Sequence, residues 1–381
     1  MTVRLSDLRP VYVIGVGFHK YQFASETPYV ELGLKAVRDA LTDADIEWPS
    51  VQSAYVAKAL LPMAPGRAML RHLGATGLPI VHVENASASG SSAFRHACME
   101  VAAGLTDVSL AMGVDKRMPV MRGEALAGLP DLANDAIVPF THFALLADQY
   151  AARHGIDVEE TALVAVKNHH NGSMNLNAQH QKERTLDQIL GGKRIAGSFT
   201  SLQCTPVGEG AAAVIIASEE GIRNLEVDRG RCIRVTSSAA RSQAIYENAS
   251  TYDADLTRET TEDALQEAGL RPSDLDLVEL HDAFTIEELE YTEAMGLSPP
   301  GCALYDLKEG AFDIGGRVAV SASGGLISMG HPIGPTGIGQ IGEITTQLRG
   351  EAGNRQHKGA RRGLAHMVGV GAVCYVHTLE K

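Results

Sequence analysis

The sequence predicts an α/β protein built on a parallel sheet that helices cover. Short apolar runs alternate with segments of helical periodicity along the chain, an order typical of such sheets. Glycine is abundant, with 39 residues, whereas aromatic residues make up only 5% of the chain. Small residues of this kind let helices pack closely against strands. The 381 residues are enough for two domains or for one large duplicated fold.

The apolar runs of the first half predict five strands, separated by segments with the spacing of amphipathic helices. The first run, VYVIGVG, ends in glycine and is typical of a buried strand. The predicted strands are residues 11–17, 51–57, 79–83, 108–114 and 210–218, and the predicted helices are residues 31–44, 67–73 and 91–103.

The second half repeats this order, although the two halves show no clear sequence repeat. We therefore divide the chain into residues 1–222 and 223–381. Residues 116–200 lack a regular apolar pattern, and we interpret them as an insertion that caps the first half and reaches towards a ligand. In the second half the predicted strands are 233–237, 275–280, 318–322, 363–366 and 373–379, and the predicted helices are 259–268, 285–295 and 336–348.

Charge and composition exclude several classes of function. A net charge of −13 argues against binding to nucleic acid or to an anionic membrane through a diffuse basic field. The five cysteines form no C-x-x-C pair, so neither a disulfide framework nor a metal site is indicated. The N-terminus has no signal-peptide core and no apolar run is long enough to span a membrane. These features favour a cytoplasmic protein.

Polar residues that could carry chemistry follow predicted strands, where α/β folds gather catalytic groups. The segment ENASASGSS (84–92) joins a strand to a helix, and a nucleophile there would face the positive end of the helix dipole. The alternative is that Ser87, Ser89 and Ser91 simply cap the helix.

The most informative segment is SGG (323–325), which continues to GHPIGPTG (330–337) before a predicted helix. Glycines let a ligand approach the backbone, and exposed N–H groups suit an oxyanion or a phosphate. His331, placed between the glycine clusters, can act as a general base near neutral pH. The alternative is a tight glycine turn with no ligand.

Two further histidines follow predicted strands. His281 begins HDAF (281–284) and could donate to a carbonyl oxygen or orient a water, or it could be a hydrogen-bonded structural histidine. His366 begins HMVGVG (366–371) at the end of a strand, where the pattern favours a packed histidine.

Together these segments resemble the thiolase superfamily, and in particular its sterol-carrier-type branch of lipid-transfer proteins. The likeness also covers VKNHHNGSMN (166–175) and CTPVGEGAAAV (204–214), so it extends across nearly the whole chain. It implies a thiolase-like fold of two similar halves, each with a mixed five-stranded sheet and helices, in a five-layer stack. It also implies a dimer or a higher homo-oligomer.

The resemblance implies Claisen chemistry on CoA thioesters, with acyl-CoA and CoA as substrates and no tightly bound cofactor. Ser87 occupies the place of the nucleophilic cysteine, and His331 resembles the base that activates it and an oxyanion donor. His281 matches the residue that supports a second oxyanion site, and His366 lies in the late catalytic loop. The residues expected to line the pantetheine channel are Ser323, Gly324, Gly325 and Gly330.

The chain departs from the family at two places, since Ser87 replaces the C of C-A-S-G and Ala283 replaces the C of HDCF. A serine hydroxyl stays protonated and needs strong help from a base. Ser87 could be an engineered substitution, or a natural residue in a site used for retro-aldol cleavage without an acyl-enzyme. The chain could also bind acyl-CoA without turnover. The intact motifs of His281 and His331 favour thiolase-type acyl transfer.

The resemblance also implies a possible small partner with a zinc ribbon and an OB fold. Sterol side chains, aromatic acids and short fatty acids are all compatible acyl groups. The CoA phosphates require basic partners, for which the candidates by location are Arg117, Lys182 and Arg184, and Lys167 and Arg194 have no better support.

Overall fold

A computed structural model describes residues 3–117, 139–244, 252–369 and 373–381. Its centre is a continuous ten-stranded sheet, whose two halves form two layers, and two short strands form a separate hairpin. The strands are β1 (Val11–Gln22), β2 (Ser53–Ala57), β3 (Ile80–Val83), β4 (Val108–Asp115), β5 (Arg194–Ala196), β6 (Phe199–Thr200), β7 (Glu209–Ser218), β8 (Ile233–Ser242), β9 (Leu277–Glu279), β10 (Ala319–Val320), β11 (Arg362–Gly369) and β12 (Val373–Glu380).

The strands and helices predicted from periodicity are confirmed, although several ends differ. β1 continues to Gln22 and β8 to Ser242, beyond the apolar runs that predicted them. The described helices are α1 (Tyr29–Ala44), α2 (Pro65–Leu70), α3 (Ser89–Ala102), α4 (Pro139–His154), α5 (Leu163–Ser173), α6 (Leu186–Leu190), α7 (Glu219–Asn224), α8 (Tyr252–Ala268), α9 (Thr285–Ala294), α10 (Ala303–Lys308), α11 (Gly325–Ser328) and α12 (Thr336–Arg349).

The strand order shows two similar halves. One half runs β3-β2-β4-β7-β1 and the other runs β10-β9-β11-β12-β8. The halves join where β1 pairs antiparallel with β8, with Val11 opposite Val235 and Val13 opposite Ile233. Each half therefore contributes five strands in an equivalent order, as the family resemblance implied.

The expectation of a parallel sheet is wrong, because each half is mixed. The three outer strands of each half pair in parallel, whereas the inner strands pair antiparallel. Strands buried on both faces have continuous apolar sequences whichever way they run, so the pattern alone could not show the reversal. β7, which follows the long segment after β4, enters the sheet in the opposite direction.

Three apolar cores hold five layers together, and the central core spans the middle helix layer and both neighbouring sheet layers. α1 covers the outer face of the first half, where Leu32 and Val37 pack with Ile215. α3 and α12 lie between the two halves, and their Phe94 and Ile341 share one core with residues of both sheets. α4, α5, α8 and α9 cover the outer face of the second half. This order of helices, sheet, helices, sheet and helices matches the predicted five-layer stack.

Residues 116–200 are more regular than the sequence indicated, and residues 118–138 lie outside the described part. The rest contains α4, α5, α6 and the β5–β6 hairpin. Their buried Phe143, Tyr150 and Phe199 share a core with Leu256 and Phe284 of the second half. These side chains therefore pack against the second half, and the interpretation that the segment caps the first half stays a prediction. The division at residue 222 stays a prediction.

The helices found in the described ranges are all too short or too polar to cross a membrane. All five cysteines lie in described residues and are free thiols.

Candidate active site

Ser87 lies in the short connection between β3 and α3. The preceding Ala86 has a φ of 48°, which is unusual for a residue with a side chain. The Ser89 hydroxyl donates to the Ala86 carbonyl over 2.6 Å and accepts from the Asn85 N–H over 2.9 Å. Ser89 therefore supplies the polar contacts of the turn, and the Ser87 hydroxyl has a different partner.

That partner is His331, in the connection between α11 and α12. Ser87 Oγ lies 2.9 Å from His331 Nε2, and His331 Nδ1 lies 2.8 Å from Thr336 Oγ1. Burial, and then the nearby His281, lowers the pKa of His331 well below 6.5, so its ring is neutral at pH 7. When His331 Nδ1–H donates to Thr336, Nε2 accepts the proton of Ser87. A hydroxyl so placed against an oriented base can act as a nucleophile.

Asp115, at the end of β4, holds the His331 segment in place. Burial raises the pKa of Asp115 to about 6, although four backbone N–H groups favour its ionised form. One donor lies three residues after His331, and the other three lie in the connection after β2. The Asp115 carboxylate therefore accepts hydrogen bonds from two loops and fixes them relative to each other. The donors are Ala59, Leu60, Leu61 and Gly334, at 2.8, 2.8, 3.2 and 2.8 Å.

His281 lies beside His331, with ring centroids 5.7 Å apart and perpendicular planes. His281 Nδ1 lies 2.7 Å from Glu287 Oε1 in the first turn of α9. Glu287 Oε2 accepts the Phe284 N–H over 2.8 Å, which fixes the carboxylate. His281 Nε2 is buried and has no hydrogen-bond partner among the described residues. The structure thus brings Ser87, His281 and His331 together.

His366 lies within β11 rather than at a strand end or in a loop, because the strand continues to Gly369. Its Nε2 lies 2.9 Å from Thr257 Oγ1, and its Nδ1 accepts the backbone N–H of His281 over 3.4 Å. Burial, and then His281, lowers the pKa of His366 well below 6.5. Both ring nitrogens therefore contact protein groups, and His366 supports the backbone of His281. Residues 370 and 371 of this motif lie outside the described part.

The residues expected to line a pantetheine channel pack closely against the protein itself. Ser323 is buried, with Oγ donating to Glu279 Oε2 over 2.6 Å and its N–H donating to Oε1 over 2.9 Å. A Cβ on Gly324 would lie 2.7 Å from Gly172 Cα, and one on Gly330 would lie 2.7 Å from Gln179 Oε1. A contact with pantetheine stays a prediction.

Gly325 has the tightest surroundings of this group. Its φ is 60°, and a Cβ there would lie 2.1 Å from Asp282 Oδ2. Asp282 Oδ1 accepts the Leu326 N–H over 2.7 Å, which anchors the start of α11. Glycine at this position lets the SGG segment pack against the carboxylate of the HDAF motif.

Three charged side chains near the site, those of Lys167, Glu279 and Glu288, are also buried. Burial, and then the Glu343 carboxylate, raises the pKa of Glu279 to about 8. Lys167 Nζ lies 3.1 Å from Glu288 Oε1 and donates to the Val320 carbonyl over 2.7 Å. The expectation that Lys167 contacts a CoA phosphate is wrong, because its ammonium group is buried and neutralises Glu288.

Lys182 and Arg184 line a cavity of about 640 Å³ together with Lys20 and His180. The wall of this cavity adjoins the His331 segment, since His180 N–H donates to the Ser328 carbonyl over 3.0 Å. The other two basic candidates, Arg117 and Arg194, are exposed.

Sequence reasoning missed three residues of the site, which are Glu287, Thr336 and Asp115. Glu287 lies at the third position of a helix, where an acidic residue usually indicates a cap. The useful signal was its position six residues after His281, in the first turn after HDAF. Among the described residues, no group of three or more histidine, cysteine or acidic side chains could hold a metal ion.

The family models match both halves of the chain. The model described as thiolase, N-terminal domain, matches residues 16–188, and the model described as thiolase C-terminal domain-like matches residues 237–379. Sterol carrier protein 2 of Gallus gallus is 35% identical over 97% of this chain and 71% of that protein. The benzoylsuccinyl-CoA thiolase subunit BbsB of Thauera aromatica is 35% identical over 95% of each chain.

Solved structures show the same fold. A structure described as an Ltp2-ChsH2(DUF35) aldolase gives a TM-score of 0.79 at 21% identity and covers 97% of both chains. Human mitochondrial 3-ketoacyl-CoA thiolase in complex with CoA gives 0.74 at 18% identity and covers 98% of both chains. Together with the matched models and relatives, they confirm the thiolase-like fold. The chain belongs to the thiolase family.

Proposed function

We propose that this protein is a thiolase-type acyltransferase that acts on CoA thioesters and cleaves or forms the carbon–carbon bond of a 3-oxoacyl-CoA. The proposal depends on one observation, the 2.9 Å contact between Ser87 Oγ and His331 Nε2. The relative named as a benzoylsuccinyl-CoA thiolase subunit supports the substrate class.

The geometry supports a cleavage step in which Ser87 Oγ attacks the 3-oxo carbon. The hydroxyl proton passes to His331 Nε2, and Thr336 keeps the ring directed at Ser87. The bond between C2 and C3 then breaks, and C2 takes the proton back from His331. The acyl group remains as an ester on Ser87, ready for an acceptor.

We propose that Lys182 and Arg184 bind the CoA phosphates. Both line the cavity of about 640 Å³, which Lys20 also lines. Three cations around one cavity attract the phosphates of CoA locally, even though the protein as a whole has a net charge of −13. The cavity wall is hydrogen-bonded through His180 to Ser328, three residues before His331.

Mass spectrometry of the intact protein after rapid quenching tests the acyl transfer. The donors are acetoacetyl-CoA, 3-oxohexanoyl-CoA, 3-oxohexadecanoyl-CoA and 3-oxo-3-phenylpropanoyl-CoA. We expect an added acyl mass on the wild type, no added mass on Ser87→Ala and a much slower rise on His331→Gln. Cleavage by Ser87→Ala at the wild-type rate, with no acylated wild type, would contradict the proposal.

A second candidate, retro-aldol cleavage of a 3-hydroxyacyl-CoA, is supported by the unpaired His281 Nε2. This nitrogen could take the 3-hydroxyl proton while the bond between C2 and C3 breaks, and C2 then takes the proton back, which leaves an aldehyde or ketone and an acyl-CoA without an acyl-enzyme. The solved structure described as an aldolase has the same fold. Cleavage of 3-hydroxyacyl-CoA by Ser87→Ala and wild type at equal rates would select this candidate.

We also propose a homo-oligomer, with a small zinc-ribbon and OB-fold protein as a further partner. The structure named with DUF35 and the relative named as a subunit support a partner of this kind. Light scattering on the purified chain tests the oligomer, and co-purification tests the partner. A monomer that copurifies with no small protein would contradict both. A non-catalytic role predicts no turnover with any donor.

A further inference from the structure

His281 and Glu287 form a second buried pair that the acylation of Ser87 does not use. Both ring nitrogens of His331 already have partners, Ser87 and Thr336. His281 uses Nδ1 for Glu287, and its Nε2 has no partner among the residues that the structure describes. The His281 side chain is only 5% exposed, so bulk water does not satisfy this nitrogen.

The surroundings of Glu287 decide where the His281 proton lies. Glu287 Oε2 accepts the Phe284 N–H over 2.8 Å, and Oε1 accepts the Tyr291 hydroxyl over 3.2 Å. A carboxylate that accepts from these groups also accepts from His281 Nδ1–H. In the neutral ring, Nε2 then carries a lone pair and is a proton acceptor, and the ring centroid lies 5.7 Å from that of His331.

This orientation differs from the one expected of an oxyanion partner, which must donate a hydrogen bond. A buried acceptor without a partner costs free energy, so the nitrogen fits a ligand that brings a proton. The second reactant of the acyl transfer is such a ligand, whether it is water or a thiol.

The chemistry of Ser87 decides between these two acceptors. An acyl group on a serine is an oxygen ester, which lies below a thioester in free energy because sulfur donates poorly into the carbonyl. Return of the acyl group to the CoA thiol is therefore uphill, whereas hydrolysis is downhill. With a cysteine at this position, exchange with CoA would be nearly balanced.

We propose that the acyl group is released to water and that His281, paired with Glu287, is the base that activates this water. This inference rests on the acylation of Ser87 proposed above. Water adds to the ester carbonyl while its proton passes to His281 Nε2. The bond to Ser87 Oγ then breaks, and Oγ takes that proton. The net reaction converts a 3-oxoacyl-CoA and water into a carboxylic acid and acetyl-CoA.

The test follows the fate of the acyl group in H2¹⁸O, using the donor from the four above that acylates Ser87 best. The wild type should release a carboxylic acid that contains one ¹⁸O, with or without added CoA. Glu287→Gln keeps the side-chain volume but can present N–H to His281 Nδ1, which moves the ring proton to Nε2. Deacylation should slow by about 10²–10⁴-fold, the usual contribution of a general base, and acylated Ser87 should accumulate.

His281→Gln should accumulate the same acylated protein, and it carries the test if Glu287→Gln does not fold. His170→Gln is the matched control, because His170 is 57% exposed and also pairs with a glutamate, Glu183; it should release acid at the wild-type rate. Recovery of the acyl group as acyl-CoA, or acid release by Glu287→Gln at the wild-type rate, would overturn this inference. Failure of every donor to acylate Ser87 would instead defeat the proposed function.

Discussion

Ser87 Oγ lies 2.9 Å from His331 Nε2, although 244 positions separate the two residues in the chain. The contact forms where α3 and α12 meet between the two halves of the protein. Glycines make this approach possible, since a Cβ on Gly90 would lie 2.8 Å from the Gly334 carbonyl oxygen. A Cβ on Gly113 would lie 2.4 Å from Pro335 Cα. The first half therefore supplies the hydroxyl and the second half supplies its hydrogen-bond partner.

Replacement of His331 by alanine should abolish carbon–carbon bond chemistry. The base that takes the Ser87 proton is lost, and a general base usually contributes about 10²–10⁴-fold. The measurement is kcat/KM for cleavage of 3-oxoacyl-CoA. His357→Ala is the matched control, because His357 and His331 are both 8% exposed while His357 binds the Gly315 N–H instead. Substantial turnover by His331→Ala would contradict the role assigned to His331.

Asp115→Asn should destabilise the loop that carries His331. An amide has only one acceptor oxygen, so its NH2 group would face backbone N–H donors that the carboxylate now satisfies. We expect the free energy of unfolding to fall by about 2–4 kcal/mol, since buried donors without partners are costly. Urea denaturation measures this. An unchanged midpoint would show that Asp115 does not hold the two loops.

Glu279→Gln should reduce the loss of stability at high pH. Burial raises the pKa of Glu279 to about 8 in the folded protein, above its usual 4.5. The folded state therefore binds this proton more tightly, and the associated stability is present below pH 4.5 and is lost as the pH rises through about 8. The amide cannot ionise, so the variant should lose less stability between about pH 5 and pH 9.

Urea midpoints at both pH values test this prediction, and equal losses in the two proteins would contradict it. A residual loss is expected in the variant, because burial also raises the pKa of Glu290 to about 8.

Gly325→Ala should destabilise the protein more than Gly350→Ala. Both glycines have positive φ, 60° and 79°, so both substitutions strain the backbone by about 1–3 kcal/mol. Only at Gly325 does the new Cβ meet a carboxylate, at 2.1 Å from Asp282 Oδ2, while nothing lies within 4 Å at Gly350. Thermal and urea unfolding measure the difference. Equal losses of stability in the two variants would show that the Asp282 side chain moves aside at little cost in free energy.

The apolar pattern was sufficient to predict most strands and helices because those segments bury aliphatic residues at regular spacing. It failed for α5, whose buried face includes Lys167, Asn168 and His169. Apolar periodicity cannot show a helix that buries ion pairs and amides. It also failed to show which strands reverse, since β7 has a continuous apolar run at 210–217 and is buried along its length.

The site was only partly predictable for a similar reason. Glycines around His331 gave a local signal, but the pairing of Ser87 with His331 depends on two distant loops, and only the family resemblance suggested it. Glu287 was missed because an acid in the first turn of a helix has a simpler explanation as a cap. His366 was placed at a strand end because the predicted strand stopped at residue 366, whereas β11 continues to Gly369.

The most direct test of the account compares the wild type with Ser87→Ala and Ser87→Cys. Each protein is incubated with CoA and matched 3-oxoacyl-CoA and 3-hydroxyacyl-CoA thioesters, and the products are identified by mass spectrometry. We expect the wild type and Ser87→Cys both to cleave the 3-oxoacyl-CoA, and Ser87→Ala to be inactive. Only Ser87→Cys should transfer the acyl group efficiently to CoA. Cleavage of the 3-hydroxyacyl-CoA by all three proteins at similar rates, without free CoA, would contradict it and make Ser87 a bystander.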